Sequence, residues 1–580
     1  MQDQSNCSDL NTKSIKKDMM RNTESFCSSV LIAVVIFTIS MGGLMAQERP
    51  NFIFILTDDQ QYGLMGCTGN TIVRTPHLDK LAAKGVLFTS AHVTSAICTP
   101  SRASILTSQF ERKHGVNFNS GTSMSEEGWK NSYPMVMREN GYYTGWVGKN
   151  HVPIGEGGYG SGVMEKSFDY WYAGHGHLRF YPKEVHTIFN NAKADTQVEI
   201  VDEGIQDFLS NDQKLDGAVK FIDQRPDDKP FMLSVSFNLP HDAGTSTMEM
   251  RETDDEIYQE MYRDIEIPLP ENYLAKADIK NPKLPASILH AEDRQIGYDW
   301  VDTPTTYRER KIRQMQAMTG IDRLMGRLME TLEKQNLDKN TVIVFTSDHG
   351  QFSGQFGLGG KAFCYEVATH VPLIIFNPRS KKSERGRTSN ALVQTIDIAP
   401  TILAIAGIEI PVSYQGKDLT GLLAGKEPEV RSVLYTENLW STQFGNPRCE
   451  AVQDKNWKYI RYYKNENFSA LKKIATAKAL DINMNTMLYK SHDPDIALYR
   501  DFIEGPLQGE EAVYEELYNV VTDQNETTNL AVNNVHAKTL ARMRAIWKKE
   551  IKAARGEEPP QVLRYTSDSE SERGLIIEPK

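Results

Sequence analysis

Asn51-Phe52-Ile53-Phe54-Ile55-Leu56-Thr57-Asp58-Asp59 decides the architecture. The unbroken apolar run from Phe52 to Leu56 suits a strand buried on both faces, as in a parallel sheet. The run stops at an acidic turn. Downstream, Thr75-Pro76 opens a helix that Gly85 closes, with Leu78, Leu81 and Ala82 on one side. Val86 to Ser90 reads as a strand, Tyr133 to Asn140 as a helix ended by Gly141, and Tyr142 to Val147 as a strand. Asp212 to Ile222 reads as helix, and Pro230 introduces the strand Phe231 to Phe237. The longest helix runs from Thr306 to Gln335, and its stripe of Ile312, Met315, Met318, Leu324, Leu328 and Leu332 reads as core. Thr341 to Thr346 and Val371 to Phe376 are further strands. This alternation predicts an α/β fold: a large domain with a mostly parallel central sheet sandwiched by helices.

After Gly425 the pattern changes. Val433 to Thr436, Trp457 to Tyr462 and Val513 to Tyr518 read as short strands, and Val535 to Ala553 as a helix. They predict a smaller C-terminal α+β domain with a short antiparallel sheet. The expected division is a leader over 1–46, a catalytic domain over 47–425, a C-terminal subdomain over 426–555 and a polar tail over 556–580. The leader rests on the apolar run Val30 to Phe37, preceded by Lys16, Lys17 and Arg21 and followed by small residues up to Ala46. That run is short for a membrane span. A cleaved leader predicts a secreted or periplasmic protein with no stable membrane insertion; an uncleaved anchor is the alternative. Two polar stretches, His175 to Asn211 and Ala243 to Tyr307, interrupt the rhythm and read as substrate-shaping insertions. The acids near Glu252 to Glu260 read as a solvated face.

The 580 residues carry a net charge of −11, which excludes a general nucleic-acid binder. An anionic substrate would need a local cationic pocket. Of six cysteines, Cys7 and Cys27 fall in the leader; Cys67, Cys98, Cys364 and Cys449 remain, too few for a disulfide scaffold.

Ligands of open α/β sheets gather beyond the carboxyl ends of strands. Asp58-Asp59 follows one predicted strand and Ser347-Asp348-His349-Gly350 another. Paired acids in a turn are usually solvated, but two such strand ends could together hold one hard divalent cation. A third stretch, Ala96-Ile97-Cys98-Thr99-Pro100-Ser101-Arg102, places a thiol at a strand-to-helix turn. Pro100 fits the first turn of a helix, so Cys98 would lie beside free amides that attract negative charge, with Arg102 one turn along. A single cysteine is more often a small buried hydrophobe.

Cys98-Thr99-Pro100-Ser101-Arg102 resembles the C-x-P-S-R signature of the type I sulfatases, of the alkaline-phosphatase-like superfamily. That family usually continues Leu-Thr-Gly, whereas this chain reads Leu106-Thr107-Ser108. Gly148-Lys149-Asn150-His151 resembles the family's G-K-x-H element, Leu239-Pro240-His241 its P-H element, and Gly360-Lys361 its second sulfate-binding lysine. Lys-x-His alone is a common surface pattern; six elements in the family's order are not. The resemblance runs from Pro50 to Val412 and more weakly from Arg431 to Ala531. The segment Ser347 to Leu373 is most similar to the iduronate-sulfatase branch.

The resemblance implies that Cys98 is oxidised to formylglycine (3-oxoalanine) by a formylglycine-generating or anaerobic sulfatase-maturing enzyme. It implies metal ligation by Asp58, Asp59, Cys98, Asp348 and His349. Calcium is the expected ion, with magnesium or manganese as alternatives; position 349 is most often asparagine in the family. Arg102, Lys149 and Lys361 would offset sulfate charge. His241 would protonate the leaving alcohol, and His151 would act as base when sulfate departs. His114 receives no catalytic step; Arg448 and His175-Gly176-His177 read as structural or exposed, with contact to substrate as the alternative. The expected activity is hydrolysis of sulfate esters of a carbohydrate, such as algal ulvan or fucoidan or a glycosaminoglycan. The rivals are a phosphodiesterase or phosphonate hydrolase of the same superfamily, and a non-catalytic sulfated-glycan-binding protein.

Overall fold

In a computed structural model of the chain, the strand β1 (Asn51–Thr57) is buried throughout and lies inside an eight-stranded sheet. The structure describes residues 49–117, 122–155, 158–174, 217–241, 260–288, 299–439, 447–463, 503–557 and 562–564. The leader, His175 to Asn211 and most of the acidic stretch lie outside them.

The other strands of this sheet are β2 (Val86–Phe88), β3 (Tyr143–Lys149), β4 (Tyr170–Gly174), β5 (Phe231–Ser236), β6 (Thr341–Ser347), β7 (Leu373–Phe376) and β8 (Arg387–Ser389). Their order is β8-β2-β7-β6-β1-β5-β3-β4. All neighbours pair in parallel except those of β7, which runs against both β2 and β6. Its sequence, Leu-Ile-Ile-Phe, is as apolar as that of a parallel strand, so its direction could not be read from composition.

Alternation within β1 explains the sandwich. Ile53 and Ile55 face one apolar cluster, together with α1 (Pro76–Lys84), α4 (Gly217–Gln224) and α5 (Pro304–Lys334). Phe52, Phe54 and Leu56 face the other, with α2 (Cys98–Thr107), α3 (Tyr133–Glu139) and α6 (Ile398–Ala406). Both faces are covered, so both sets of side chains are apolar. The methionine-bearing stripe of α5 is core as expected: Ile312, Met315, Met318, Leu328 and Leu332 are buried. Its start follows from the Thr303 cap and Pro304 at the first turn.

A second sheet, antiparallel, has the order β9 (Leu434–Asn438), β10 (Cys449–Gln453), β11 (Trp457–Tyr462), β12 (Tyr514–Asn519). The sequence reading lacks β10, whose Cys-Glu-Ala-Val-Gln shows no apolar run. One face carries α7 (Ala537–Arg555) through Met543, Trp547 and Ile551. The other packs on Phe352, Phe363, Tyr365 and Val371, beside the eight-stranded sheet. Buried Arg112 ties the two parts: its Nε donates to Glu437 Oε2 at 3.0 Å, and it also bonds Glu450. Val562–Arg564, within the stretch read as a tail, pairs antiparallel with Thr122–Met124. Among the described residues no helix is long and apolar enough to cross a membrane.

Candidate active site

Strand register brings the acidic turns together. Thr57 pairs with Ser347, so Asp58 and Asp348 leave the sheet side by side at the same edge. Asp348 N donates to Thr57 O at 3.0 Å, and Asp59 N donates to Asp348 Oδ1 at 3.1 Å. Gly148 pairs with Ser236, which delivers Lys149 to that edge. His241 follows five residues after the end of β5.

Cys98 is the first residue of α2, after an extended Ile97, and Pro100 lies in the first turn. Every residue of this helix is buried. Cys98 Sγ lies 3.1 Å from Lys361 Nζ, 3.3 Å from His349 Nε2 and 3.6 Å from Asp58 Oδ1. Burial, then the carboxylate of Asp58, pushes the Cys98 thiol up against the opposing pull of Lys361 and Lys149.

Arg102 bridges the two strand-end acids. Its Nη2 donates to Asp58 Oδ2 at 3.0 Å, its Nε to Asp348 Oδ2 at 2.9 Å, and its Nη1 to Ser236 Oγ. Lys149 also bonds Asp58. Burial acts to raise Asp58, but Lys149 and then Arg102 outweigh it and hold the carboxyl well below its usual range. Asp348 is shifted the other way, by burial and then by Asp58. Lys361 Nζ donates to Asp59 Oδ1 at 2.9 Å, and His241 Nε2 is 3.8 Å from Asp59 Oδ2. His151 is buried two residues beyond Lys149, at φ 56°.

The donor set fits a divalent cation. Ligand atoms of Asp58, Cys98, Asp348 and His349, and of Asp58, Asp59, Cys98 and His241, lie within 4.8 Å of one another. Asp59 Oδ2 is buried without a hydrogen-bond partner, which is costly unless a ligand meets it. His349 Nδ1 lies 3.0 Å from Gly350 O and 3.2 Å from Asp59 Oδ1, both acceptors. Nδ1 is thus placed to donate, and Nε2 is turned toward the cluster, 3.3 Å from Cys98 Sγ. The sequence thus named nine residues that meet here: Asp58, Asp59, Cys98, Arg102, Lys149, His241, Asp348, His349 and Lys361.

A family sequence model described as Sulfatase matches residues 50–408. The chain belongs to the sulfatase family. A second model, described as N-sulphoglucosamine sulphohydrolase, C-terminal, matches residues 354–486 of the sulfatase. An N-acetylglucosamine-6-O-sulfatase of Bacteroides thetaiotaomicron is 27% identical over 466 residues, covering 72% of this chain and 79% of its own. An ulvan-active sulfatase of Formosa agariphila is 27% identical over 424 residues, covering 71% and 73%. Among solved structures, one in complex with its substrate D-glucosamine-2-N,6-O-disulfate superposes with TM-score 0.62 at 20% identity, covering 88% of this chain and 99% of its own. A phosphonate monoester hydrolase from Silicibacter pomeroyi superposes with TM-score 0.61 at 20% identity, covering 87% and 95%; these likenesses concern the fold. The sulfatase is a sulfuric ester hydrolase.

Sequence reasoning missed the supports of the site. Ser236 holds Arg102 from the end of β5, and Ser101 Oγ donates to the Asp348 carbonyl. Ser236 had one signal, a polar residue at the carboxyl end of a buried strand. Ser108 explains the departure from Leu-Thr-Gly: it takes the left-handed position at φ 55° that favours glycine. Its hydroxyl donates to Ile396 O at 2.7 Å and accepts from Gly416 N at 3.0 Å. Arg448 is paired with Glu510 and lies 5.0 Å above the Tyr463 ring.

Proposed function

We propose that this sulfatase is exported, carries formylglycine at position 98, and hydrolyses sulfate esters of a polysaccharide or its oligosaccharides. One observation carries the reading: Cys98 Sγ lies within 3.6 Å of Lys361, His349 and Asp58, where nucleophile, anion binders and metal ligands all need to be. In this reading residues 1–46 are the leader, 47–425 form the catalytic domain and 426–555 the C-terminal subdomain.

Asp58, Asp59, Asp348 and His349, with position 98, would hold the divalent cation, calcium in this proposal. Bound there, it supplies Lewis-acid stabilisation of sulfate charge. Oxidised to the hydrated aldehyde, position 98 supplies a hydroxyl nucleophile and a second hydroxyl that a thiol lacks. Arg102 fixes Asp58 and Asp348 for these partners. Lys149 reaches Asp58 and Lys361 reaches Asp59 on flexible stems, which lets their ammonium groups turn to sulfate oxygens and stabilise charge there. His241 Nε2 gives a proton to the departing alcohol, and His151 takes one when sulfate leaves.

A carbohydrate substrate is supported by the N-acetylglucosamine-6-O-sulfatase and ulvan-active relatives. The test is a panel of sulfated oligosaccharides, with 6-O-sulfated N-acetylglucosamine and ulvan fragments included, against matched phosphonate and phosphate esters. The full chain is co-produced with a formylglycine-generating enzyme. The expected result is sulfate release from saccharides well above any phosphonate turnover. Faster phosphonate hydrolysis, or saccharide binding without release, would overturn the proposal.

A further inference from the structure

Two thiols outside the reaction meet where the antiparallel sheet packs on the catalytic part. Cys364 stands three residues past Lys361, and Cys449 opens β10. Their Sγ atoms are 3.5 Å apart, and both residues are fully buried. Phe363, Tyr365, Ala451 and Tyr462 belong to the same apolar cluster. Disulfide sulfurs sit about 2.05 Å apart, so bonding needs a closure of about 1.5 Å, which small χ1 rotations supply. Neither of the other two described cysteines has this geometry: Cys67 lies beside Asp79, and Cys98 sits in the active site.

We propose that Cys364 and Cys449 form a disulfide that clamps the Lys361 segment to the antiparallel sheet. The oxidising setting rests on the export reading above; the pairing itself does not. Each thiol gives up a proton. One sulfur first forms a mixed disulfide with a disulfide-bearing oxidoreductase or glutathione disulfide. The second thiolate then displaces that carrier, so two electrons pass to the carrier, which leaves as thiol. Because both sulfurs are shielded in the folded chain, the exchange takes place as the sheet docks. The bond closes a loop across 85 positions, and long loops gain most from closure. Ala362 N donates to Ala96 O at 2.9 Å, so the clamped segment is also tied to the residues just before Cys98. The pairing also removes two thiols that could form mixed disulfides with Cys98 before its conversion.

The test uses the full chain purified from a bacterial cytoplasm made oxidising, and from a reducing one. Each sample is alkylated under denaturing, non-reducing conditions and digested. The expected result is a Cys364–Cys449 cross-linked peptide in the oxidised sample, with Cys67 alkylated. Reductant lowers the thermal midpoint of that sample by several degrees and does not move a Cys364→Ala/Cys449→Ala variant. Full alkylation of both thiols in the oxidised sample overturns the proposal, and the peptide map decides even if the variant folds poorly. Fractionation of cells carrying the intact leader tests export separately, so a cytoplasmic chain that still cross-links refutes only export.

Discussion

Replacing Arg102 by methionine keeps most of the side-chain volume and removes the cation between two buried acids. Arg102 is 1% exposed and reaches Asp58, Asp348 and Ser236 through different nitrogens. Breaking a buried pair by deleting one partner costs about 3–5 kcal/mol. Asp58 keeps Lys149, so the loss falls mainly on Asp348, whose Oδ2 bonds Arg102 at 2.9 Å. That places Arg102→Met near the lower end, about 3 kcal/mol. Arg102→Lys keeps the charge but serves one carboxylate, and the forfeited charged hydrogen bond is worth about 1.5–3 kcal/mol. Urea titration followed by tryptophan fluorescence reads both values. Displaced acids at a site that needs sub-ångström placement predict a fall in kcat/KM of about 100-fold or more for methionine. An Arg102→Met chain within 1 kcal/mol of wild type, with unchanged sulfate release, would refute Arg102 as the brace of the acid pair.

Three further outcomes follow from other parts of the structure. Chelation lowers the unfolding free energy and calcium restores it, by about 2.7 kcal/mol at a hundred times Kd; a midpoint indifferent to both contradicts the acid cluster as a cation site. Gly148 sits at φ +93°, and a Cβ there would lie 2.0 Å from Ser236 O, so Gly148→Ala must shift the strand end that carries Lys149. The expected cost is above about 2 kcal/mol, with reduced kcat/KM, read by urea titration and steady-state kinetics. Buried His114 accepts from Val116 N at Nδ1 and is therefore neutral; burial lowers it to about 3. Its folded value lies below its unfolded one, so the unfolded chain binds the extra proton and stability falls as pH drops below about 6.5. By pH 5 this amounts to about 2 kcal/mol, and His114→Gln should lose that much less than wild type between pH 7 and 5 in parallel urea titrations; equal losses would contradict it.

Runs with a clear period gave up their fold readily. β1 and α5 were legible because a doubly covered strand leaves an unbroken apolar run and a packed helix leaves an apolar stripe in the sequence. The direction of β7 was not, since reversing a doubly buried strand changes no side chain's polarity. β10 was hidden because its buried Glu450 bonds Arg112, so a core position reads as charged. The site was legible for a different reason. Its reactive groups follow directly on strand ends or open a helix, and short motifs name them. The supports are scattered serines and carbonyls whose roles exist only once the Thr57–Ser347 register is set. The burial of Cys98 and its contact with Asp58 were not legible, because local sequence shows only the helix amides.

Mass spectrometry of the peptide bearing residue 98, from a preparation shown to release sulfate, tests the central claim most directly. The expected result is the aldehyde or its hydrate at that position, with activity that scales with converted fraction and vanishes in Cys98→Ala. An active preparation whose residue 98 is uniformly an unmodified cysteine, or a Cys98→Ala chain that still turns over, would contradict it.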